Sequence, residues 1–343
     1  MDTRYNHEDK TEYRRTNAPQ KRRKKHRGWK IVLRDIVLIG VALNVFALFH
    51  HVLPRKLAPV DTSRYAAAAI AATPSPDPAA QNGGEATPQP TATPVPGDFS
   101  AGFPAQDTGL NADYSYQTDQ ERIAIKRVQE DGVTYFVADV YVKNIDALKT
   151  AFARGTYGKN IYDFPINTAQ QNQAVFAVSG DYYSARSQGI VIRNGQLYRD
   201  VPASDLCVLY QDGVLETMAS DAFDLNAALA RGVWQSWSFG PALLGKDGEA
   251  LTEFDSKLTD RHPRSAIGYY APGHYCFVIV DGRQKGYSVG MHLSELSTLF
   301  VKLGCKAAYN LDGGATAVMM FRGNIINQPY QGGRESGDII FFT

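Results

Sequence analysis

The chain has 343 residues, and its 36 Lys and Arg nearly cancel its 35 Asp and Glu, leaving a net charge of +1. That balance excludes a chain-wide basic field of the kind that holds a nucleic acid. Cys207, Cys276 and Cys305 are too few, and odd in number, for a disulfide framework. Their spacing fits no zinc site, and their apolar neighbours mark them as buried free thiols.

Residues 1–30 form a basic tail containing the run Lys21-Arg22-Arg23-Lys24-Lys25-His26-Arg27. Residues 31–53 are almost wholly apolar, with Arg34 and Asp35 near the start, within reach of headgroups. About 20 apolar residues cross a bilayer as a helix. A core helix would show a polar face, and a cleavable signal peptide a small-x-small site before the Pro-rich stretch. The segment reads as one transmembrane helix. Basic residues precede it, so the N-terminus is cytoplasmic and the remainder exported, in a single-pass topology at the cell membrane. Residues 54–108 are rich in Ala, Thr and Pro, with Thr73-Pro74, Thr87-Pro88 and Thr93-Pro94. Such a composition buries too little apolar surface to fold, which predicts an extended, disordered spacer.

The pattern changes near residue 110. Arg122–Gln129 and Val133–Val142 alternate around Asp131-Gly132, a hairpin signal. Asp146 is expected to cap a short helix running to Arg154. Ala174–Val178 reads as a strand. Asn194-Gly195 and Asp212-Gly213 mark two further hairpins, and Ala222–Ala230 reads as a helix. Ser265–Tyr270 and Tyr275–Val280 read as strands. Ser294 is expected to cap a helix whose apolar face is Leu296, Leu299, Phe300 and Leu303, with Gly304 ending it. Ala307–Leu311, Ala317–Phe321 and Asp338–Phe342 are the last strands. The sum is an α+β domain over 110–343 with mainly antiparallel sheet and a few helices.

The segment richest in chemistry is Asn310-Leu311-Asp312-Gly313-Gly314-Ala315-Thr316. Glycines beside a strand end let backbone approach a ligand and turn amides toward an anion. Asp312 there can be a base, a nucleophile or a metal ligand; the plainer alternative is a turn. This segment resembles the Asn-Leu-Asp-Gly-Gly-Gly-Ser signature of the phosphodiester glycosidase family, which includes the lysosomal enzyme that uncovers mannose-6-phosphate tags. Further resemblances follow in order. They are Ser179-Gly180-Asp181-Tyr182-Tyr183, Gly240-Pro241 with Lys246-Asp247-Gly248, and His262-Pro263-Arg264-Ser265-Ala266-Ile267-Gly268. Asp281-Gly282-Arg283, Gly290-Met291, and Asn327 and Pro329 with Arg334 complete the set. Ser179 stands where the family carries Asn, and Ala315-Thr316 where it carries Gly-Ser.

The resemblance implies hydrolysis of a glycosyl-1-phosphodiester. The leaving phosphate monoester calls for positive charge, and Arg264 and Arg334 suit its oxygens. Positive charge at C1 calls for a carboxylate; Asp312 is the first candidate and Asp181 the second, with Glu335 a weaker third. Asn310, Gly313, Gly314, Thr316, Ser179, Gly180 and His262 are expected to bind substrate, and Tyr182 and Tyr183 could stack on a sugar. Asp281 is expected in a turn. No cofactor is required by these motifs, although a divalent cation is compatible with them. The implied partner is a phosphorylated glycan of the cell envelope or exopolysaccharide, with no nucleic acid. The alternative is a non-catalytic phosphoglycan-binding module of the same fold, suggested by Ser179 and Ala315.

Overall fold

A computed structural model describes residues 26–63, 65, 97–104 and 111–343. Most of the basic tail and the Thr-Pro repeats lie outside the described residues. Two compact units divide at Leu53/Pro54.

The first unit contains helix α1 (His26–Ala47), extended by a π-helical turn over Leu48–Val52. Trp29–Val52 is 24 residues long with mean hydropathy 2.2, long and apolar enough to cross a membrane. Its large apolar side chains are exposed along the whole length.

The second unit starts earlier than its composition suggests. Strand β1 (Arg55–Lys56) pairs antiparallel with the short strand Gly158–Lys159, the Leu57 N–H donates to Tyr157 O, and the Val60 N–H to Leu197 O. Part of the stretch read as spacer is thus bound to the domain. An average over many Ala, Thr and Pro residues hides the few long side chains, Val60 and Tyr65, that dock. Phe99 is likewise buried in the main core.

Two antiparallel sheets carry the domain. In the first, β2 (Tyr114–Gln117), β3 (Glu121–Glu130) and β4 (Val133–Val142) form a meander. Asp131 and Gly132, both at positive φ (50° and 73°), close the expected hairpin. In the second sheet, β5 (Lys149–Phe152) is an edge strand where a helix was expected. Asn144, not Asp146, caps a single 3-10 turn, after which Thr150 pairs with Ile340. With β6 (Gly158–Lys159), β7 (Phe176–Ser179), β8 (Gly189–Arg193), β9 (Gln196–Val201), β10 (Leu206–Tyr210), β11 (Leu215–Met218) and β12 (Val233–Trp237), the chain reaches its last six strands. These are β13 (Arg264–Ala271), β14 (His274–Val280), β15 (Ala307–Leu311), β16 (Met319–Phe321), β17 (Asn324–Ile325) and β18 (Asp338–Phe342). The first sheet runs β15-β13-β14-β4-β3-β2 and the second β17-β16-β7-β18-β5.

Alternation along these strands assigns the layers. Ile123, Phe136, Ile267, Phe277 and Leu311 of the first sheet share one core with Phe176, Met319, Ile340 and Phe342 of the second. The opposite face of the first sheet, with Ala266, Cys276 and Val278, is covered by helix α4 (Leu293–Lys302) through Leu296 and Phe300. His292, rather than Ser294, caps α4, exchanging hydrogen bonds with Glu295 as a capping box. The opposite face of the second sheet meets helix α2 (Pro165–Gln171), with Ala169 against Ala177, Met320 and Phe341. Helix α3 (Leu225–Arg231) begins at Asp224 and ends at Gly232. The layers are helix, sheet, sheet, helix, an α+β fold. All three cysteines are buried free thiols, with Cys276 Sγ 3.6 Å from Cys305 Sγ.

Candidate active site

The site forms where the ends of β15 and β7, one from each sheet, meet. Leu311 is the last β15 residue paired with β13, opposite Ser265. Asp312, Gly313 and Gly314 then leave the sheet. A Cβ on Gly313 would lie 2.7 Å from Pro263 O, so only glycine lets this turn rest on the loop bearing His262 and Arg264. Gly314, at φ 67°, donates its N–H to the same carbonyl at 2.9 Å. From the other sheet, Gly180 O accepts the Asp312 N–H at 3.1 Å, and Ser179 Oγ donates to Asp312 O at 3.4 Å. Thr316 Oγ donates to Gly313 O at 2.6 Å and closes the turn.

The Asp312 carboxylate is nearly buried, with one oxygen 3.5 Å from Arg334 Nη2. Burial pushes its pKa up to about 7, against the Arg334 charge and a Thr316 hydrogen bond that pull it down; the charge of Asp181 adds to the rise. Asp312 therefore changes charge in the neutral range.

Among the described residues, it is the only acidic one lining a cleft of about 450 Å³ whose walls carry four arginines, Arg186, Arg264, Arg283 and Arg334. They are not equivalent. Arg264 is buried and donates to Met291 O, Thr259 O and Asp260 O. Burial, with Arg283 beside it, holds its pKa down to about 10. Arg334 is half-exposed, with its guanidinium 5.7 Å from the Tyr182 ring. Arg186 donates to Ser238 O and lies against Tyr182 and Phe239. Arg283 lies against Tyr330 and has its Nη2 3.2 Å from His262 Nδ1. A guanidinium only donates, so Nδ1 accepts and the neutral ring carries its proton on Nε2. Burial, then Arg264 and Arg283, depress the pKa of His262, which keeps that ring neutral. Asn310 donates through Nδ2 to Gly240 O, while its buried Oδ1 has no donor among the described residues.

Of the residues singled out in the sequence, Asp312, Asn310, Gly313, Gly314, Arg264, Arg334, His262 and Tyr182 meet in the cleft. Ser179, Gly180, Asp181 and Thr316 lie behind it. Asp181 accepts from the Tyr182 and Ser238 N–H groups at 2.7 and 2.8 Å, and lies 3.7 Å from Arg193 Nη2. Arg193 pairs with Asp338 at 2.7 Å, and Asp338 accepts the Asp181 N–H at 2.7 Å. All three residues are buried. Burial raises the Asp338 pKa to about 6 even against Arg193. Tyr183 points into the core against Tyr157, opposite in direction to Tyr182. Asp281 is buried away from the cleft, accepting from Tyr287, Asn327 and the Gln328 N–H. Glu335 is exposed and lies outside the lining. Arg186 and Arg283 escaped the sequence reading as site residues. Arg283 stood in a motif read as a turn, and its φ of 60° is what turns it into the cleft. Among the described residues, no three His, Cys, Asp or Glu side chains gather as a metal-ligand set.

Comparison with known proteins bears on the family and the fold. The model of the phosphodiester glycosidase family matches residues 172–343, half of the chain. The catalytic domain of zebrafish N-acetylglucosamine-1-phosphodiester alpha-N-acetylglucosaminidase, auto-inhibited by its pro-peptide, superposes with TM-score 0.53 and 18% identity. The match covers 67% of this chain and 85% of that one. A hypothetical protein from Synechocystis superposes with TM-score 0.50 and 14% identity, over 67% and 64% of the two chains. At 18% and 14% identity these likenesses speak for the fold alone. The SPbeta prophage-derived uncharacterized protein YomE of Bacillus subtilis is 26% identical over 220 residues, 57% of this chain. The chain spans about a third, 34%, of that relative's length.

Proposed function

The chain belongs to the phosphodiester glycosidase family, and we propose that it is a membrane-anchored hydrolase of glycosyl-1-phosphodiesters in glycans of the cell envelope or exopolysaccharide. The observation that carries this reading is one carboxyl group, titrating near neutrality, set among four guanidinium groups in a single cleft. A phosphodiester needs the guanidinium groups, and the positive C1 that forms as its bond breaks needs the carboxylate. Arg334 and Arg283 hold the phosphate oxygens. Arg264, its donors committed to three backbone carbonyls, fixes the cleft wall. Asp312 acts in its ionised form at C1. The His262 Nε2–H donates to the substrate without accepting a proton from it. Water supplies the hydroxyl that replaces phosphate on C1, its second proton passing to solvent, and the phosphate monoester leaves with the former bridging oxygen. Because that leaving group is already a weak base, it needs charge stabilisation more than protonation.

Helix α1 has the length and hydropathy of an anchor, and the basic residues before it support an extracytoplasmic domain. The test is to incubate wild type and Asp312→Ala with defined glycosyl-1-phosphodiesters, with and without chelator. Free sugar and phosphate monoester should appear with wild type alone. Binding without turnover that survives Asp312→Asn would instead identify a phosphoglycan-binding module.

A further inference from the structure

The arginine-lined cleft does not end at Arg186. A second chamber of about 540 Å³ shares Arg186, Phe239 and Leu258 with it. The chemistry reverses across that boundary. Beyond it the lining carries Asp205, Asp221 and Asp255 with three serines, and among the described residues Lys257 is the one cation not shared with the first chamber. Asp221 and Asp255 are exposed, and Asp205 uses one oxygen to accept the Ala242 N–H at 3.0 Å.

Asn310 stands at the junction. It lines the arginine side, and its Nδ2 holds the carbonyl of Gly240, a residue of the second chamber. Its Oδ1 is buried without a donor among the described groups. A buried acceptor left unpaired is stabilised by any donor brought to it. Apart from Lys257 and the shared Arg186, the polar side chains described in the second chamber are three carboxylates and three hydroxyls.

The chambers also follow one another in a fixed order. Asp312 lies beside Arg334, the Tyr182 ring bridges Arg334 and Arg186 at 5.7 and 5.8 Å, and the second chamber begins at Arg186. With C1 at Asp312 and phosphate among the guanidinium groups, the second chamber meets the other ester arm. We propose that it is a subsite for that arm, and that it selects a hydroxyl- or amine-bearing group without negative charge. This rests on the reading of the first chamber as a glycosyl phosphodiester site. A polyol or an ammonium group offers donors to the aspartates, whereas a carboxylate or a second phosphate would be repelled by them.

The experiment compares three sugar-1-phosphodiesters with the full chain in detergent, the second ester arm being glycerol, ethanolamine or glycolate. In kcat/KM, wild type should prefer the glycerol and ethanolamine diesters over the glycolate diester by about three- to fivefold for each carboxylate that contributes. The Asp221→Asn/Asp255→Asn variant should narrow that ratio by accelerating the glycolate diester. Equal values in wild type, or a ratio unchanged in the variant, would overturn the subsite. Calorimetric binding of phosphoethanolamine and phosphoglycolate separates the two claims. If no diester is cleaved but phosphoethanolamine is preferred, hydrolysis fails and the subsite stands. Cleavage with no preference in rate or binding sinks the subsite and leaves the hydrolase.

Discussion

Two arginine–aspartate groups lie back to back in this domain. Behind the cleft, Arg193, Asp338 and Asp181 are buried together, and the carboxylates accept from Arg193 and from the backbone N–H groups of Asp181, Tyr182 and Ser238. In front, Asp312 touches Arg334 at 3.5 Å, and Arg334 remains half-exposed. The residue types are the same and the degree of satisfaction is opposite. The closed group holds the ends of two strands together, while the open one keeps donors and an acceptor for something that arrives. Buried ion pairing and backbone hydrogen bonding distinguish scaffold from site here better than residue identity does.

The largest effect that sharpens this contrast is on turnover. Asp312→Ala should lower kcat by about 10²–10⁴-fold with the fold intact by circular dichroism. Normal turnover would place the reaction elsewhere. Arg193→Met should act on stability instead. Leaving Asp338 and Asp181 without their cation is expected to cost about 3–5 kcal/mol in denaturant unfolding. A variant as stable as wild type would mean that the rear group is not the scaffold described.

Arg283→Met should weaken substrate binding by about 10–100-fold, the loss of charge-assisted hydrogen bonds, seen mainly in KM. It should also raise the pKa of His262, followed by NMR, because a nearby positive charge and the partner of Nδ1 disappear.

The smallest effects are on the pH profile. With Asp312 active as carboxylate, kcat/KM rises with pH and levels off above about 7. A limb that instead falls through this range would make Asp312 the proton donor. Asp181→Asn removes a charge that raises the Asp312 pKa, so its limb should move to lower pH. Thr316→Val removes a hydrogen bond that lowers it, so that limb should move to higher pH. Shifts of the same sign would contradict the electrostatics. Stability carries a matching sign. Asp312 has a raised pKa in the fold, so the folded state holds its proton longer and loses stability as pH rises from about 4 to 7. Asp312→Asn should therefore raise the melting temperature at pH 8 more than at pH 4.

Hairpin turns and strand alternation are local, and both were legible in the sequence. Asn194-Gly195 and Asp212-Gly213 sit between β8 and β9 and between β10 and β11, as expected. The edge strand β5 was not legible, because Thr150 becomes a strand residue only when Ile340 arrives beside it from almost 200 positions along the chain. The same distinction runs through the site. Asp312 was readable from its glycines, and Gly313 proves necessary for a contact with Pro263. The cations were harder. Arg264 and Arg283 have the same guanidinium, yet three carbonyls take up one and a left-handed turn presents the other. Sequence states which groups can bind phosphate; burial decides which still have free donors.

The pairing of β1 with β6 has a consequence for how the protein would respond to a protease. Residues 66–96 lie between two segments that are both fastened to the domain, one at Arg55–Lys56 and Val60 and the other at Gly97 and Phe99. A single cut within that interval breaks the chain without at once separating its two parts. The two fragments remain a complemented pair until the Arg55–Lys56 strand peels away from Gly158–Lys159. Release then becomes a matter of off-rate, set by a few backbone hydrogen bonds and the side chains of Val60 and Tyr65.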